Sequence, residues 1–527
     1  MNIKDYIQQQ EQHQNLILRR HNRMTLELLK VDEAIFTLGN GTLGSRNHFI
    51  EGYGQNDLPY TFLNGFYDTY PYRYEENSPT FPQEGQNMVN LPDASYLSIE
   101  AGEEKIDLTQ AALLSLERTL HIKEGCARRV ANYVTPKGFQ FEITEEKIVS
   151  HLDHEVICSK VTLKSPNFSG NIKLRAHLRM PLLKNIDRID PRLGHSLKQL
   201  RIQDIKATDQ YGYLKAQTIY SELEVMTMLT HDLPFTYDVL DEMVVGYYEA
   251  LLTPDQELSV TQYQMYQQVD DHAKSFSILL DHINELKSFD QYLAFEKKYY
   301  DDYCKRSYLY LSDYDIHLSL NYNMFQLNQS GGEKRYQHIP AKGLSGEGYE
   351  GHYFWDTEIY MLPFFIFTNP EKAKHILMYR YLHLDQARQE ARKLGIQKGA
   401  KIPWRTINGK ETSPYFLAGS AQLHINSDLS YAIMQYFYQT NDVSFMIAFG
   451  FEMMLETAIF LLEYGHFKDG KFHIDSVTGP DEYTTLVNDN YYTNTMAQHH
   501  FINVYQFANA HRSEERRVGK ECRSRWS

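Results

Sequence analysis

A multidomain chain, β in its first half and α-helical in its second, is what the residue pattern predicts. Three observations lead there. At 527 residues the chain is too long for one hydrophobic core, so two or three domains are expected. Over roughly the first 270 residues, apolar and β-branched positions recur with a period of two. The runs are FQFEITEEKIVSHL (139–152), EVICSKVTL (155–163), NIKLRAHLRM (171–180), EVMTMLTH (224–231), MVVGYYEALL (243–252) and ELSVTQYQMYQQ (257–268). Turn clusters such as SPNFSGN (165–171) separate them, a spacing that suggests stacked antiparallel sheets.

After residue 270 the period becomes helical, the third observation. Apolar residues fall at helical spacing in 286–307 and 314–330. Residues 369–395 read as one helix, with Asn369 as N-cap, Pro370 in the first turn and Gly395 at the end. Further helices are expected at 420–439, 442–464 and 493–510, separated by long loops of the kind that often carry function. Strands first and helices second indicate separate β and α domains.

Composition narrows the function class. The net charge of −15 argues against a nucleic-acid surface, which needs clustered Lys and Arg. No apolar run approaches the ~20 residues that span a bilayer, and the polar N-terminus has no signal-peptide core, so no membrane is expected and a cytoplasmic location is the default. Cys126, Cys158, Cys304 and Cys522 are scattered, with no CxxC pair for zinc or a disulfide framework. The 22 His show no metal-ligand spacing, and neither HExxH nor a phosphate-cradling GxxxxGK[ST] occurs. The 40 Tyr and 27 Phe beside three Trp suit rings that stack on sugar faces, and suit an ordinary interface as well.

Residues 512–527, RSEERRVGKECRSRWS, have no apolar period and resemble the translation of a sequencing adapter. They are read as a non-native tail and set aside.

Three loops carry the candidate chemistry. GLSGEGYEGHYFWDTEIYMLPFF (343–365) holds Trp355 and Asp356, and GAKIPWRTINGKETSPYF (399–416) holds Trp404 and Arg405. An indole face with an adjacent hydrogen-bonding group is suited to a pyranose ring; packed core tryptophans are the plainer alternative. The third loop, HIDSVTGPDEYTTLVNDNYYTN (473–494), places Asp481 and Glu482 directly after a Gly479–Pro480 turn. Adjacent carboxylates repel, which favours one of them holding a proton as a general acid must; an acidic pair in a loop is otherwise simply solvated. Asn488, Asp489, Asn490, Tyr491 and Tyr492 read either as a polar, aromatic sugar-binding wall or as a helix cap and first turn.

These loops, with GNGTLGSRNHFIEGY (39–53), resemble glycoside hydrolase family 65, which includes maltose, trehalose and kojibiose phosphorylases. The resemblance covers residues 1–510 and rests most on FWDTE and GPDEYT. It implies an N-terminal β-sandwich (1–270), a helical linker (271–312) and an incomplete (α/α)6 barrel (313–511), with the rest of the barrel and a small C-terminal β domain absent. It further implies an inverting phosphorylase that splits an α-glucosyl disaccharide with inorganic phosphate as co-substrate, without metal or organic cofactor, as a homodimer when full length. By the family's pattern Glu482 is the general acid, Trp355 and Asp356 grip the transferred glucosyl ring, and Trp404 and Arg405 border the departing sugar. The family's phosphate-binding residues lie beyond the end of this chain, so the 527-residue piece is expected to be poorly soluble or inactive, with apolar helix faces exposed. Segment 405–431 does not look like the corresponding part of maltose phosphorylases, yet maltose, kojibiose, trehalose and its 6-phosphate all stay open as substrates. An inverting hydrolase or an inactive sugar-binding protein are the competing readings.

Overall fold

The two-residue alternation of the first half becomes two antiparallel sheets in the computed structural model, which describes residues 16–54, 59–74, 80–181, 199–334, 336–414 and 416–511. The basic segment 512–527, with Cys522 and Trp526, lies outside the described residues. The chain divides into two compact units: residues up to 68, 88–330 and 342–348 in the first, and 69–87, 331–341 and 349 onward in the second.

In the first unit the strands of these two sheets, in chain order, are β1 (Ile17–His21), β2 (Leu97–Ala101), β3 (Glu104–Lys105), β4 (Ala112–His121), β5 (Cys126–Val134), β6 (Gln140–Val149), β7 (Val156–Lys164), β8 (Gly170–Leu178), β9 (Leu200–Ala207), β10 (Gly212–Thr218), β11 (Glu224–His231), β12 (Thr236–Leu240), β13 (Met243–Leu252) and β14 (Glu257–Gln268). Nine strands form one sheet in the order β1-β4-β5-β6-β7-β14-β11-β10-β9, and five form another in the order β12-β13-β8-β2-β3. Where β10 meets β13 the fit is tight: a Cβ on Gly212 would sit 2.6 Å from Val244. One face of the large sheet is covered by α1 (His272–Asn284) and α2 (Phe289–Ser307); Leu279, Phe289 and Tyr292 pack on Cys158, Met226, Met228 and Tyr263. Ser288 and Gln291 form a reciprocal capping box at the start of α2. The next helix, α3 (Tyr314–Ser330), packs within this unit, where Tyr322 Oη donates to the Ile35 carbonyl and Gln329 Nε2 to that of Thr37.

The motif at 39–53 is a framework of the first unit. Asn40 Oδ1 accepts from the backbone N–H groups of Thr42 and Leu43, closing the turn. Gly44 lies so close to Leu344 that a side chain would collide with it. Glu51 delivers its carboxylate to Arg129, which donates from Nη1 and Nη2 at 2.6 Å each and also pairs with Glu145 at 3.0 Å. All three groups are fully buried.

The second unit contains α4 (Leu362–Thr368), α5 (Pro370–Leu382), α6 (Leu384–Lys393), α7 (Ile425–Thr440), α8 (Val443–Tyr464) and α9 (Tyr491–Ala510). The single helix expected over 369–395 is two. Asn369 caps it as expected, Pro370 is its first residue, and Gly395 ends the second piece at φ 82°. Between them, His383 Nδ1–H donates to the Tyr379 carbonyl at 2.9 Å, taking the acceptor that the His383 backbone N–H would use, and the chain breaks there. Helix α8 corrects the expectation that no segment is long and apolar enough to cross a membrane: by length and composition it is. Its Phe445, Met453, Met454, Phe460 and Leu461 are nevertheless buried within this unit, and Glu452 and Glu456 both bind Arg388. Leu455 and Leu462 on α8 and Ile502 and Tyr505 on α9 are exposed.

Loop 399–416 is organised by one buried carboxylate. Glu411 accepts from the backbone N–H of Trp404 (2.7 Å), Arg405 (3.3 Å) and Ser413 (3.1 Å) and faces the buried Lys401 ammonium at 3.4 Å.

Two stability outcomes follow. Arg129→Met leaves Glu51 and Glu145 as uncompensated buried charges and should cost ~3–5 kcal/mol, read as a lower urea midpoint. Glu411→Ala orphans three N–H donors and Lys401; a loss of about 3 kcal/mol with red-shifted tryptophan emission is expected, and an unchanged urea midpoint would remove Glu411 from this role.

Candidate active site

The three loops singled out from the sequence meet in the second unit around the N-terminal turn of α7. That helix is buried on nearly every side, and three of its first four residues, Asn426, Ser427 and Asp428, are polar. Asn426 explains itself: its amide donates to the carbonyls of Ala400 and Thr457 and accepts from Ile402 N–H. Asp428 does not close a backbone gap. Its Oδ2 lies 2.6 Å from His424 Nδ1, and its Oδ1 accepts from Tyr492 Oη at 2.9 Å. Burial raises the Asp428 carboxyl above its ordinary value, against the lowering effect of His424 and Tyr492. Burial also raises the Tyr492 hydroxyl, with the Asp428 charge adding to it, so that side chain stays a donor.

Trp355 is 7% exposed and meets the His424 ring edge-to-face, with centroids 4.9 Å apart. Its neighbour Asp356 opens outward at the start of a wide helical turn, Thr357–Met361. Partial desolvation raises the Asp356 carboxyl; the charges of Glu358 and Glu482 add to this, and a hydrogen bond to its own backbone opposes it. Glu358, one turn on, is committed elsewhere. Burial alone would raise its carboxyl, but Arg380, bound through Nε at 2.6 Å and Nη2 at 3.1 Å, and His338 outweigh that and hold it at about 2.

Glu482 sits on a closed loop. Val477 and Val487 pair through two backbone hydrogen bonds, of 3.0 and 2.9 Å, and pinch the segment between them. The Gly479–Glu482 turn closes with Glu482 N–H donating to Gly479 O at 3.2 Å. Gly479 has no room for a side chain: a Cβ would lie 2.5 Å from the Asn490 amide. Glu482 itself takes a left-handed backbone, φ 61°, a conformation that non-glycine residues hold at a cost and that clusters at functional sites. Thr478 anchors the loop, its N–H donating to Ala421 O and its hydroxyl to Leu417 O. That anchoring brings Gln422 to Glu482: Gln422 Nε2–H donates to Glu482 Oε1 at 2.8 Å. Both Glu482 and Asp481 are exposed.

The remaining candidates divide. Asn490 is the N-cap of α9, accepting from Thr493 N–H; Asn488 accepts from Ser476 N–H; Asp489 pairs with His473 at 2.8 Å. Of the two readings of 488–492, cap and first turn describe three of the five residues. Tyr491 is exposed, and Tyr492 reaches Asp428. Trp404 packs edge-to-face on Phe354 and against Gly419. Arg405 is buried, with Nη2 2.5 Å from Glu350, whose carboxylate also accepts from Tyr70 Oη. Its charge is met inside the protein. Sequence reasoning overlooked Gln422, His424 and Asp428. The available signal was the run of polar residues in HINSD at the head of an otherwise apolar helix. Among the described residues no cluster of three or more His, Cys, Asp or Glu is placed to hold a metal ion.

Comparison with known proteins places this arrangement in context. The model of the glycosyl hydrolase family 65 N-terminal domain matches residues 20–303, and that of the family's central catalytic domain matches residues 321–527. The chain is 37% identical over 492 residues to the α,α-trehalose phosphorylase of Geobacillus stearothermophilus, covering 91% of this chain and 64% of that protein. It is 29% identical over 525 residues to the kojibiose phosphorylase of Halothermothrix orenii, covering 90% and 63%. A solved structure described as a candidate kojibiose phosphorylase from the human microbiome superposes with a TM-score of 0.85 at 27% identity, covering 93% of this chain and 65% of that one. The chain thus spans slightly under two thirds of these proteins, and within that span both parts of it carry the same signature: it belongs to glycosyl hydrolase family 65.

Proposed function

We propose that this chain is the larger part of an inverting disaccharide phosphorylase acting on an α-glucosyl disaccharide of the trehalose or kojibiose type. The reading is supported by one geometric observation above all. Trp355 meets the His424 ring, Gln422 links His424 to Glu482, and Asp356 lies near enough to Glu482 to feel its charge, an arrangement that suits an aromatic ring, a hydroxyl-binding carboxylate and a proton donor acting together. The relatives' names favour trehalose or kojibiose over maltose, and the neutralised Arg405 disfavours trehalose 6-phosphate.

In this mechanism the glucosyl ring lies on Trp355, with Asp356 accepting from its hydroxyls. Glu482 gives its proton to the glycosidic oxygen. Phosphate attacks C1 from the opposite face, the C1–oxygen bond to the departing sugar breaks, and a C1–O–P bond forms with inversion. A hydrolase would need a second carboxylate to activate water; phosphate is already an anionic nucleophile, so one acid suffices. The Trp404–Arg405 segment borders the departing sugar, Trp404 by its ring and Arg405 from behind, through Glu350. As in the family's pattern, the full-length enzyme is taken as a homodimer.

In the full-length enzyme, Glu482→Gln should lower phosphorolysis by at least ~10²-fold while disaccharide binding persists. α-Glucosyl fluoride, whose leaving group needs no proton, should be turned over by that variant far closer to the wild-type rate. Equal loss on both substrates would remove Glu482 from the acid role. Trp355→Ala should weaken glucosyl binding, seen as a raised KM; unchanged KM and kcat would count against stacking there.

A further inference from the structure

Gln422 is 1% exposed, yet both ends of its amide are committed. Its Nε2–H donates to Glu482 Oε1 at 2.8 Å, and its Oε1 faces His424 Nε2 at 3.1 Å. The reverse amide orientation would set its oxygen against the Glu482 carboxylate whenever that group is ionised, acceptor on acceptor. In the observed orientation His424 must carry a hydrogen on Nε2 to donate to Gln422. Its other nitrogen, Nδ1, lies 2.6 Å from Asp428 Oδ2, and one proton must occupy that gap, since two lone pairs cannot share it. The buried pair therefore holds one proton in excess of neutral imidazole and carboxylate. The titratable groups that act on the pair are Glu358 and Tyr492, the latter flanked by Tyr360 and Tyr431, with Glu482 at the far end of Gln422.

We propose that Gln422, backed by the His424–Asp428 pair, is a positioning residue for the general acid: it occupies Oε1 of Glu482 and leaves Oε2 to carry the catalytic proton. This rests on Glu482 being the acid. A donor to a carboxylate oxygen favours the ionised form in general, so its removal is to be read in a pH profile. It turns an exposed side chain on a loop into one with a fixed rotation, anchored through a buried amide to the first turn of α7.

The test uses the full-length enzyme with inorganic phosphate and trehalose, or kojibiose where trehalose is not consumed. Gln422→Met keeps the length of the side chain and removes the donor; Gln422→Glu keeps a hydrogen-bonding group and adds a like charge beside Glu482. Expected for the Met variant are a kcat at least tenfold lower, a KM within threefold of wild type, and a basic limb of the kcat–pH profile moved to higher pH. The Glu variant should move that limb further, and supplies the same reading should the Met variant fail to fold. A basic limb unmoved in the variants that fold, or kcat and KM changing together, would overturn the proposal. Glu482→Gln, assayed alongside, separates the two claims. If it is inactive while the limb stays put, only the role of Gln422 falls; if it keeps normal turnover, the acid assignment falls as well.

Discussion

The contact between His424 and Asp428 is the point on which the second unit's candidate site turns. Each group is fully buried, a placement that is costly for a carboxylate and an imidazole unless their hydrogen bonds are all met. Here Asp428 is met by His424 and Tyr492, and His424 by Asp428 and Gln422. The imidazole also takes the edge-to-face contact of Trp355. One buried pair thus fixes the indole that would receive a sugar ring and the amide that holds Glu482. Two side chains separated by 127 positions in the chain are oriented by a common support. In the proposed reaction, a site held in this way, on the head of a packed helix, would need little rearrangement as charge develops.

The Glu482 loop applies the opposite strategy. Its side chain is exposed and its backbone is left-handed, so nothing about the local chain preference favours this conformation. What over-determines it is the Val477–Val487 bridge beneath, the Gly479 contact with Asn490 and the two bonds from Thr478 to segment 417–421. Strain held by surrounding contacts is common where a side chain must point into a reaction space.

Much of the architecture was legible in the sequence because it rests on periodicity. β6, β7, β8, β11, β13 and β14 fall within a few residues of the alternating runs, and α3 spans the helical pattern at 314–330. What periodicity could not convey was a competition for one hydrogen bond. The break at His383 arises from a side chain taking the Tyr379 carbonyl, which leaves the apolar spacing of 369–395 intact on both sides. The same limit applied at the site. Trp355, Asp356 and Glu482 stand in distinctive loops, whereas Gln422, His424 and Asp428 acquire meaning only when loop 478–486 is folded back on segment 417–422. Arg405 looked like an available cation because Glu350 lies 55 residues earlier and its pairing is a tertiary event.

The configuration of the first product tests the central claim most directly. Proton NMR on the full-length enzyme, with its disaccharide and inorganic phosphate, would follow the anomeric signals from the first turnovers. The account predicts β-glucose 1-phosphate as the initial glucosyl product, with no release of that glucosyl unit as free glucose and no turnover when phosphate is omitted. An initial α-phosphate, or equal consumption of the disaccharide without phosphate, would contradict it.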